Sequence, residues 1–251
     1  MTGRFADRVA IVTGAASGVG LRATELLVEE GARVVAADVQ AERLLAAVEP
    51  LGASVVALPA DVALAEDCER IVATAAERFG VAHLLFANAG ITVRAPIEET
   101  DDALWQHVLD VNLTSAFRCI RAVVPLMRRQ GGGSIVCNAS INALRGNLDL
   151  AAYAAAKSGL VGMVRALAVE LAPSDIRVNA ICPGTVDTPM TDEYLRDVDD
   201  PDATLREVVA KHPLGRLATA DEVARAALFL GSGESFVTGV ALPVDGGRHI
   251  A

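Results

Sequence analysis

Aromatic residues and basic charge are both scarce in this chain of 251 residues. Phe, Tyr and Trp make up 4% of the residues while apolar residues make up 52%, so we expect a core built from Ala, Val, Leu and Ile. The formal net charge is −10, which argues against general binding of nucleic acids or anionic membranes, because both need a basic surface. We therefore predict neither kind of binding.

Cysteines are few and widely separated, and no C-x-x-C pair is present. This spacing argues against metal or redox use, so we expect no metal site and four buried free thiols in a reducing cytoplasm. The four are Cys68, Cys119, Cys137 and Cys182. Charged residues interrupt the start of the chain and no run of ~18 uncharged apolar residues exists, so we expect no signal peptide, no membrane span and a cytoplasmic location.

Apolar, β-branched runs alternate with longer helical patterns along the chain. The predicted strands are 9–13, 33–38, 54–58, 84–88, 134–138, 177–182 and 240–244. The predicted helices run to about 30 and over 41–51, 64–79, 101–129, 151–172 and 220–230, with short polar helices within 188–211. This alternation predicts a doubly wound, Rossmann-like α/β fold, a parallel sheet covered by helices on both faces.

We expect one domain, 1–251, because no linker, low-complexity tract or short-period repeat interrupts the pattern. The polar segment 185–213 is its least sheet-like part and is predicted to be a small helical lid over a substrate. The acidic side chains of this segment fit a solvated surface better than a functional role.

A glycine-rich turn follows the first predicted strand directly and leads into a helix. Glycines there allow a tight turn and let main-chain N–H groups approach a pyrophosphate at the helix N-terminus. Three glycines alone would fit an ordinary turn, but their place between an apolar strand and a helix favours nucleotide binding. The residues assigned to this role are Gly14, Ser17, Gly18, Val19 and Gly20.

Asp38 ends the second predicted strand, 18 residues after Gly20. An acidic side chain at this point can accept hydrogen bonds from a ribose 2′-OH, and it repels a 2′-phosphate. No Lys or Arg lies within the glycine turn, and Val39 follows the aspartate. The pattern favours NAD over NADP, with a strand-end aspartate exposed to water as the alternative.

Tyr153 and Lys157 lie four residues apart in a long alanine-rich run, so they share one face of the predicted helix. A phenol ionises near pH ~10, and a neighbouring positive charge favours the phenolate and lowers its pKa. Such a pair can exchange protons near neutral pH. Taken alone, it fits surface packing as well.

Six motifs follow one another in order along the chain: T-G-x-x-x-G-x-G, Asn88-Ala89-Gly90, an Asn in the long predicted helix, a Ser after the fifth strand, Y-x-x-x-K and P-G-x-x-x-T. With these motifs the chain resembles the short-chain dehydrogenase/reductase family over essentially its full length. The joint occurrence of the motifs is highly specific, although each is weak alone.

The resemblance implies an NAD-dependent oxidoreductase that acts on a secondary alcohol or its ketone. Ser140 would hydrogen-bond the substrate oxygen, Tyr153 would exchange its proton, and Lys157 would lower the pKa of Tyr153 and hold the nicotinamide ribose. Asn112 would position a water that links Lys157 to solvent. The further cofactor contacts implied by the resemblance are Asp61, Val62, Asn88, Ala89, Gly90, Pro183, Gly184, Val186 and Thr188, together with Tyr153 and Lys157.

Several of these residues have ordinary structural explanations too. Asn112 could satisfy a buried main-chain group, Ser140 could end a strand, and Asn88 could tie neighbouring strands together. Thr188 could cap the helix that follows. A non-catalytic NAD-binding regulatory or scaffold protein is the alternative function, but such a protein could lose any of the four catalytic residues, and all four are present.

Substrate identity is the most open part of the prediction. Arg94 follows the fourth strand and Arg145 lies five residues past Ser140, so either could pair with a substrate carboxylate. Both fit exposed surface arginines equally well. Hydroxy acids, sugar acids, sugars, polyols and cyclic alcohols are therefore all candidates, and the resemblance implies a homotetramer.

Overall fold

The computed structural model describes residues 3–251. The first two positions of the predicted domain, and of the stretch considered for a signal peptide, lie outside the described residues. The strands are β1 Val9–Thr13, β2 Arg33–Asp38, β3 Val55–Pro59, β4 Leu84–Ala87, β5 Gly133–Asn138, β6 Ile176–Pro183, β7 Val186–Asp187, β8 Ala218–Thr219 and β9 Ala241–Val244. The α-helices are α1 Gly18–Glu29, α2 Ala41–Val48, α3 Ala65–Phe79, α4 Asp102–Leu109, α5 Ser115–Arg129, α6 Ala151–Leu171, α7 Pro189–Arg196, α8 Pro201–Ala210 and α9 Ala220–Gly231.

Seven strands form one parallel sheet in the order β3-β2-β1-β4-β5-β6-β9. From β1 the chain winds outward through β2 and β3, then returns to the other side of β1 and winds outward again through β4, β5, β6 and β9. The predicted doubly wound fold is confirmed. In such a sheet, ligands bind outside the carboxyl ends of the strands, at the point where the winding reverses. Here that point lies between β1 and β4.

Helices cover both faces of the sheet, and each face has its own apolar core. One core joins buried side chains of α3, α5 and α6, such as Ile71, Ile120 and Val164, to the sheet. The other joins α1, α2 and α9, through residues such as Leu27 and Leu44. Both cores are mainly aliphatic, which agrees with the low aromatic content of the sequence.

The predicted helix 101–129 is not one regular helix. It consists of α4 and α5 joined by a π-helical turn, Asp110–Thr114. A π-helical turn adds one residue to the helical repeat, and the spacing of apolar residues does not reveal one extra residue. Pro125 lies inside α5 and the helix continues past it, as predicted.

The second helix is also shorter than predicted. It ends at Val48 rather than at 51, and a 3-10 segment, Glu49–Ser54, follows. Pro50 supplies no N–H for the helical ladder, and Gly52 takes a left-handed conformation with φ 61°. The chain therefore leaves the helix early, and β3 runs over Val55–Pro59 instead of 54–58.

One helical segment, Ala151–Ser174, is long and apolar enough to cross a membrane by length and composition, with a mean hydropathy of 1.2 over 18 residues. This is weak evidence, since a core helix that packs inside a protein meets the same criterion. Its α-helical part, α6, packs against β6 and contributes Leu160 and Val164 to one of the two cores. Its opposite side is exposed, and Val169 has 79% of its surface accessible.

Two valines on α6 offer a matched test of this packing. Val164→Ala should lower the free energy of unfolding by about 2 kcal/mol, because it removes two buried methyl groups and leaves a cavity. Val169→Ala should change it by less than about 0.5 kcal/mol, because the side chain is exposed. Urea unfolding at one fixed protein concentration measures both. Equal losses would contradict this assignment of the two faces.

Candidate active site

The glycine turn between β1 and α1 has a shape that side chains would block. Gly14 and Gly18 have φ angles of 68° and 53°, in the left-handed region that favours glycine. A Cβ atom on Gly20 would lie 2.0 Å from the carbonyl oxygen of Gly14. The side chain of Ser17 makes no capping hydrogen bond to α1, and the first turn of the helix holds no acidic residue. The N-terminus of α1 is therefore suited to an anionic group such as a pyrophosphate.

Asp38 lies directly beside this turn at the end of β2. Its Oδ2 atom accepts a hydrogen bond from the Ala16 N–H at 3.0 Å, and its Oδ1 atom accepts one from the Gln40 N–H at 2.9 Å. Each carboxylate oxygen can accept a second hydrogen bond. The aspartate thus holds the turn in shape and keeps acceptor capacity for a hydroxyl group.

Asp61 and Val62 follow β3 at the same edge of the sheet. The Ala60 N–H donates to the Asp38 carbonyl oxygen at 2.9 Å, which brings the end of β3 next to the end of β2. Asp61 Oδ1 accepts the Ala63 N–H at 2.9 Å, and Val62 is buried. Both residues lie beside the region predicted to hold the adenine.

Asn88 joins the glycine turn to the neighbouring strands. Its Nδ2 group donates to the carbonyl oxygens of Thr13 and Gly14 at 2.9 and 3.2 Å, and its Oδ1 atom accepts from Asn138 Nδ2 at 2.8 Å. Thr13 Oγ1 accepts the N–H groups of Asn88 and Ala89. Sequence reasoning anticipated the tying role of Asn88 and placed Thr13 in the glycine motif without a role. It missed Asn138, which carries no motif signal beyond its strand-end position.

Gly90, Asn112 and Lys157 meet at one point. A Cβ atom on Gly90 would lie 2.7 Å from Asn112 Oδ1 and 3.2 Å from Lys157 Nζ. Asn112 lies in the π-helical turn, where its Nδ2 group donates to the Ile91 and Val108 carbonyl oxygens and its Oδ1 atom accepts the Ile91 N–H. The side chain therefore satisfies main-chain groups, while the water that it was predicted to position stays a prediction.

Lys157 is buried, with only 3% of its surface exposed. Its Nζ group donates to the Asn138 carbonyl oxygen at 2.7 Å. Burial lowers the pKa of Lys157 to about 8, against the smaller opposing influence of the Cys137 and Cys182 thiols. A charged amine has three N–H donors, so Lys157 can also donate to other acceptors, such as the hydroxyl groups of a ribose.

Tyr153 lies beside Lys157 on α6, with 5.6 Å between the Nζ atom and the centre of its ring. Burial raises the pKa of Tyr153, and the neighbouring Ser140 and Thr92 hydroxyls lower it. The expected lowering of this pKa by Lys157 is therefore wrong for the protein without cofactor. Loss of hydration around the phenol outweighs any effect of the amine, which is itself poorly hydrated.

The structure brings Ser140 and Thr92 to the Tyr153 phenol from two different strands. Ser140 is buried and follows β5, where its Oγ atom accepts the Asn142 N–H at 3.1 Å. Thr92 follows β4, and its hydroxyl also donates to the Met190 sulfur at 3.5 Å. Thr92 was missed from the sequence because it belongs to none of the motifs; its place two residues after Gly90 was the available signal.

The segment that follows β6 closes over the glycine turn. A Cβ atom on Gly18 would lie 3.2 Å from Thr188 Cγ2. Thr188 precedes α7 but makes no side-chain capping bond, and its hydroxyl faces the Val186 carbonyl oxygen at 3.4 Å. Pro183, which ends β6, is buried. The predicted phosphate and nicotinamide ends of the site are therefore in contact.

His212 supports this segment and was not anticipated from the sequence. Its Nε2 atom accepts the Thr185 N–H at 3.1 Å, which leaves Nδ1 to donate to the Val208 carbonyl oxygen at 2.9 Å. Burial lowers the pKa of His212, which favours this neutral form. A Cβ atom on Gly184 would lie 2.8 Å from Nε2, so only glycine fits beside the ring.

The two predicted substrate arginines lie on the loops that follow Thr92 and Ser140. Arg94 donates to the Leu148 carbonyl oxygen at 3.1 Å and lies over the Tyr194 ring of α7 at 4.6 Å. Arg145 donates to the Arg248 carbonyl oxygen at 2.6 Å. Both are exposed, and neither forms an ion pair with a carboxylate within residues 3–251.

The pKa of Lys157 predicts a pH dependence of stability. An unfolded lysine keeps its proton up to about pH 10.4, whereas the buried one loses it near pH 8, so the unfolded chain binds more protons between these values. Stability should therefore rise with pH across this window. The free energy of unfolding of the wild type, minus that of Lys157→Met, should increase by about 2 to 3 kcal/mol from about pH 7 to about pH 10. Urea unfolding of cofactor-free protein measures it, and a flat difference would contradict the lowered pKa.

Comparison with known proteins agrees with this geometry. Residues 14–249 match the family model described as enoyl-(acyl carrier protein) reductase. The cis-4-hydroxycyclohexanecarboxylate dehydrogenase of Sinomonas cyclohexanicum is 41% identical over 97% of both chains, and the cyclohexanol dehydrogenase of Acinetobacter sp. strain SE19 is 38% identical over 98% of this chain and 96% of that protein. The crystal structure of levodione reductase superposes with a TM-score of 0.95 at 36% identity, covering 98% of this chain and 99% of that one. The chain therefore belongs to the short-chain dehydrogenase/reductase family.

Proposed function

We propose that this protein is an NAD-dependent oxidoreductase that interconverts a secondary alcohol and its ketone. The observation that supports this most strongly is the meeting of Ser140, Tyr153 and Lys157 at the carboxyl edge of the sheet, beside a glycine turn that only glycines fit. The names of the relatives describe cyclic alcohols and ketones, so we propose a cyclic secondary alcohol as the substrate class.

The described residues fit a dinucleotide. The N-terminus of α1 would hold the pyrophosphate, and Asp38 would accept the 2′-OH of the adenosine ribose. Lys157 would bind the nicotinamide ribose, and the segment from Gly184 to Thr188 would hold the nicotinamide amide. When bound, the cofactor supplies hydride exchange with the substrate carbon.

The proton chemistry falls to the side chains of this chain. The Ser140 hydroxyl donates to the substrate oxygen and stabilises the negative charge that develops on it. Tyr153 takes the hydroxyl proton during oxidation and returns it during reduction. Because burial raises its pKa, the phenol is protonated at neutral pH, which suits the reduction direction.

We propose a single catalytic domain in which segment 185–213 covers the substrate, since α7 contacts the loop after β4 through Met190 and Tyr194. We propose a cytoplasmic homotetramer by family resemblance. The edge strand β9 lies next to an exposed apolar side chain, Phe236, which suits a subunit interface.

Tyr153→Phe tests the acid/base role with the smallest change. The variant should lose turnover of cyclohexanol by at least about 10²-fold, because proton transfer by a positioned side chain contributes about that much. NAD binding, followed by titration calorimetry, should persist. Tyr194→Phe removes the hydroxyl of the chain's other tyrosine and should retain turnover. Full turnover in Tyr153→Phe would remove this residue from the reaction. NAD binding by the wild type without turnover of any alcohol or ketone would favour a regulatory or scaffold protein.

Asp38→Asn tests the choice of cofactor. The change keeps an acceptor for the Ala16 N–H but removes the negative charge that disfavours a 2′-phosphate. The ratio of kcat/KM with NAD to kcat/KM with NADP should fall by about tenfold or more. Glu77→Gln removes one negative charge from the exposed side of α3 and should leave the ratio unchanged. A wild-type preference for NADP would show that the role assigned to Asp38 is wrong.

A further inference from the structure

Three arginines from distant parts of the chain meet beside the site. Arg94 follows Thr92 by two residues, and Arg145 follows Ser140 by five. Arg248 lies near the end of the chain, past β9, and its Nη1 group donates to Thr185 Oγ1 at 2.8 Å. Each arginine is therefore held next to a segment that contributes directly to the proposed site.

Main-chain contacts fix this arrangement. Arg145 Nη1 donates to the Arg248 carbonyl oxygen at 2.6 Å and lies 3.5 Å from the Ala251 oxygen. Arg94 Nη1 donates to the carbonyl oxygen of Leu148, three residues after Arg145. The carbonyl oxygens of Arg248 and Leu148 carry no net charge, so these two bonds position the guanidinium groups without neutralising them.

The positive charge of the cluster is not balanced by ion pairs with side-chain carboxylates. Among residues 3–251, none of the three arginines forms an ion pair with an Asp or Glu side chain. Burial, then the charges of Arg145 and Arg94, lower the pKa of Arg248. Asp245 attracts it, but the carboxylate of Asp245 already accepts the N–H groups of Gly247 and His249.

Arg248 is also incompletely hydrogen-bonded. Only 6% of its surface is exposed, yet its Nε atom has no partner among the described residues. A buried charged group without an acceptor is costly, and guanidinium groups bind carboxylates through paired, parallel hydrogen bonds. In a chain with a net charge of −10, three neighbouring arginines without an Asp or Glu ion pair are suited to binding an anion.

We propose that Arg94, Arg145 and Arg248 form a subsite for a carboxylate of the substrate. The substrate is then a secondary alcohol, or its ketone, that carries a carboxylate away from the reacting carbon. Arg248 is a specificity-determining residue, and Arg94 and Arg145 add positive charge around the carboxylate. This inference rests on the proposed function, because it identifies the group that the same site recognises.

The test compares 4-hydroxycyclohexanecarboxylate with 4-hydroxycyclohexanecarboxamide, which has nearly the same shape and no charge. The wild type should favour the acid by about 10- to 100-fold in kcat/KM, the size expected of hydrogen bonds to a charged group. Arg94→Gln and Arg145→Gln, both exposed and expected to fold, should each lose much of this preference while oxidation of the amide is retained. Arg248→Gln should lose the most.

Controls separate charge recognition from folding. Arg78→Gln removes one positive charge at the exposed end of α3. It should leave kcat/KM unchanged for both the acid and the amide. If Arg248→Gln fails to fold, as judged by its thermal midpoint, the two exposed variants decide the result. An acid preference that survives in both of them would overturn the proposal.

A binding measurement distinguishes failure of the subsite from failure of the reaction. Calorimetry with cyclohexanecarboxylate, which cannot react, should show binding that weakens with salt and is lost in the Arg94→Gln, Arg145→Gln double variant. Cyclohexanecarboxamide should bind less tightly by about tenfold or more.

Equal oxidation of acid and amide would overturn the carboxylate subsite and leave the proposed oxidoreductase activity unaffected. Turnover of neither compound, with binding of the acid intact, would overturn the reaction alone. Tighter binding of inorganic phosphate than of the carboxylate would show that the anion class is wrong.

Discussion

A single chain of partly buried hydrogen bonds joins the two halves of the site. It runs from the Thr13 carbonyl oxygen to the Asn88 amide, from Asn88 to the Asn138 amide, and from the Asn138 carbonyl oxygen to Lys157 Nζ. These bonds cross β1, β4 and β5 at their carboxyl ends, where the winding of the sheet reverses. The spacing between the glycine turn and the Tyr153–Lys157 pair therefore depends on side-chain amides as well as on the strand ladder. Removing one member of such a network would leave its partners without a hydrogen bond, which is costly away from water. Each of these side chains therefore depends on the others.

Burial shifts the pKa values of both Tyr153 and Lys157 away from their ordinary values. Both groups lose hydration, and the neutral form of each gains as a result: the pKa of the phenol rises while that of the amine falls to about 8. The two pKa values therefore move apart, so the amine loses its proton before the phenol does as the pH rises. A simple helical pairing of opposite charges, as the sequence suggests, gives the neighbours correctly but the direction of the phenol's shift wrongly. Neighbours follow from a four-residue spacing, whereas hydration depends on what packs around them.

Much of the fold follows from local pattern, and much of the site does not. The parallel sheet was predictable because each strand is an apolar run followed by a helix, and the glycine turn because few other residues tolerate its backbone. The π-helical turn at Asn112 was not, since one inserted residue leaves the apolar repeat nearly unchanged. Thr92, Asn138, His212 and Arg248 act through contacts with residues far away in the chain, so no short spacing reveals them. Arg145 was found from its distance to Ser140, but its link to the C-terminal segment required the structure.

The contacts of Arg248 with Thr185 and Arg145 have a consequence for how the molecule acquires its site. Residues near both ends of the described chain, from Thr13 to Arg248, must be in place before the cleft is complete. Pairings so distant in sequence form late, because closing long loops costs entropy before any contact repays it. A chain that ended before Arg248 would therefore keep the residues of the glycine turn but lack the contacts of Arg248 with Thr185 and Arg145.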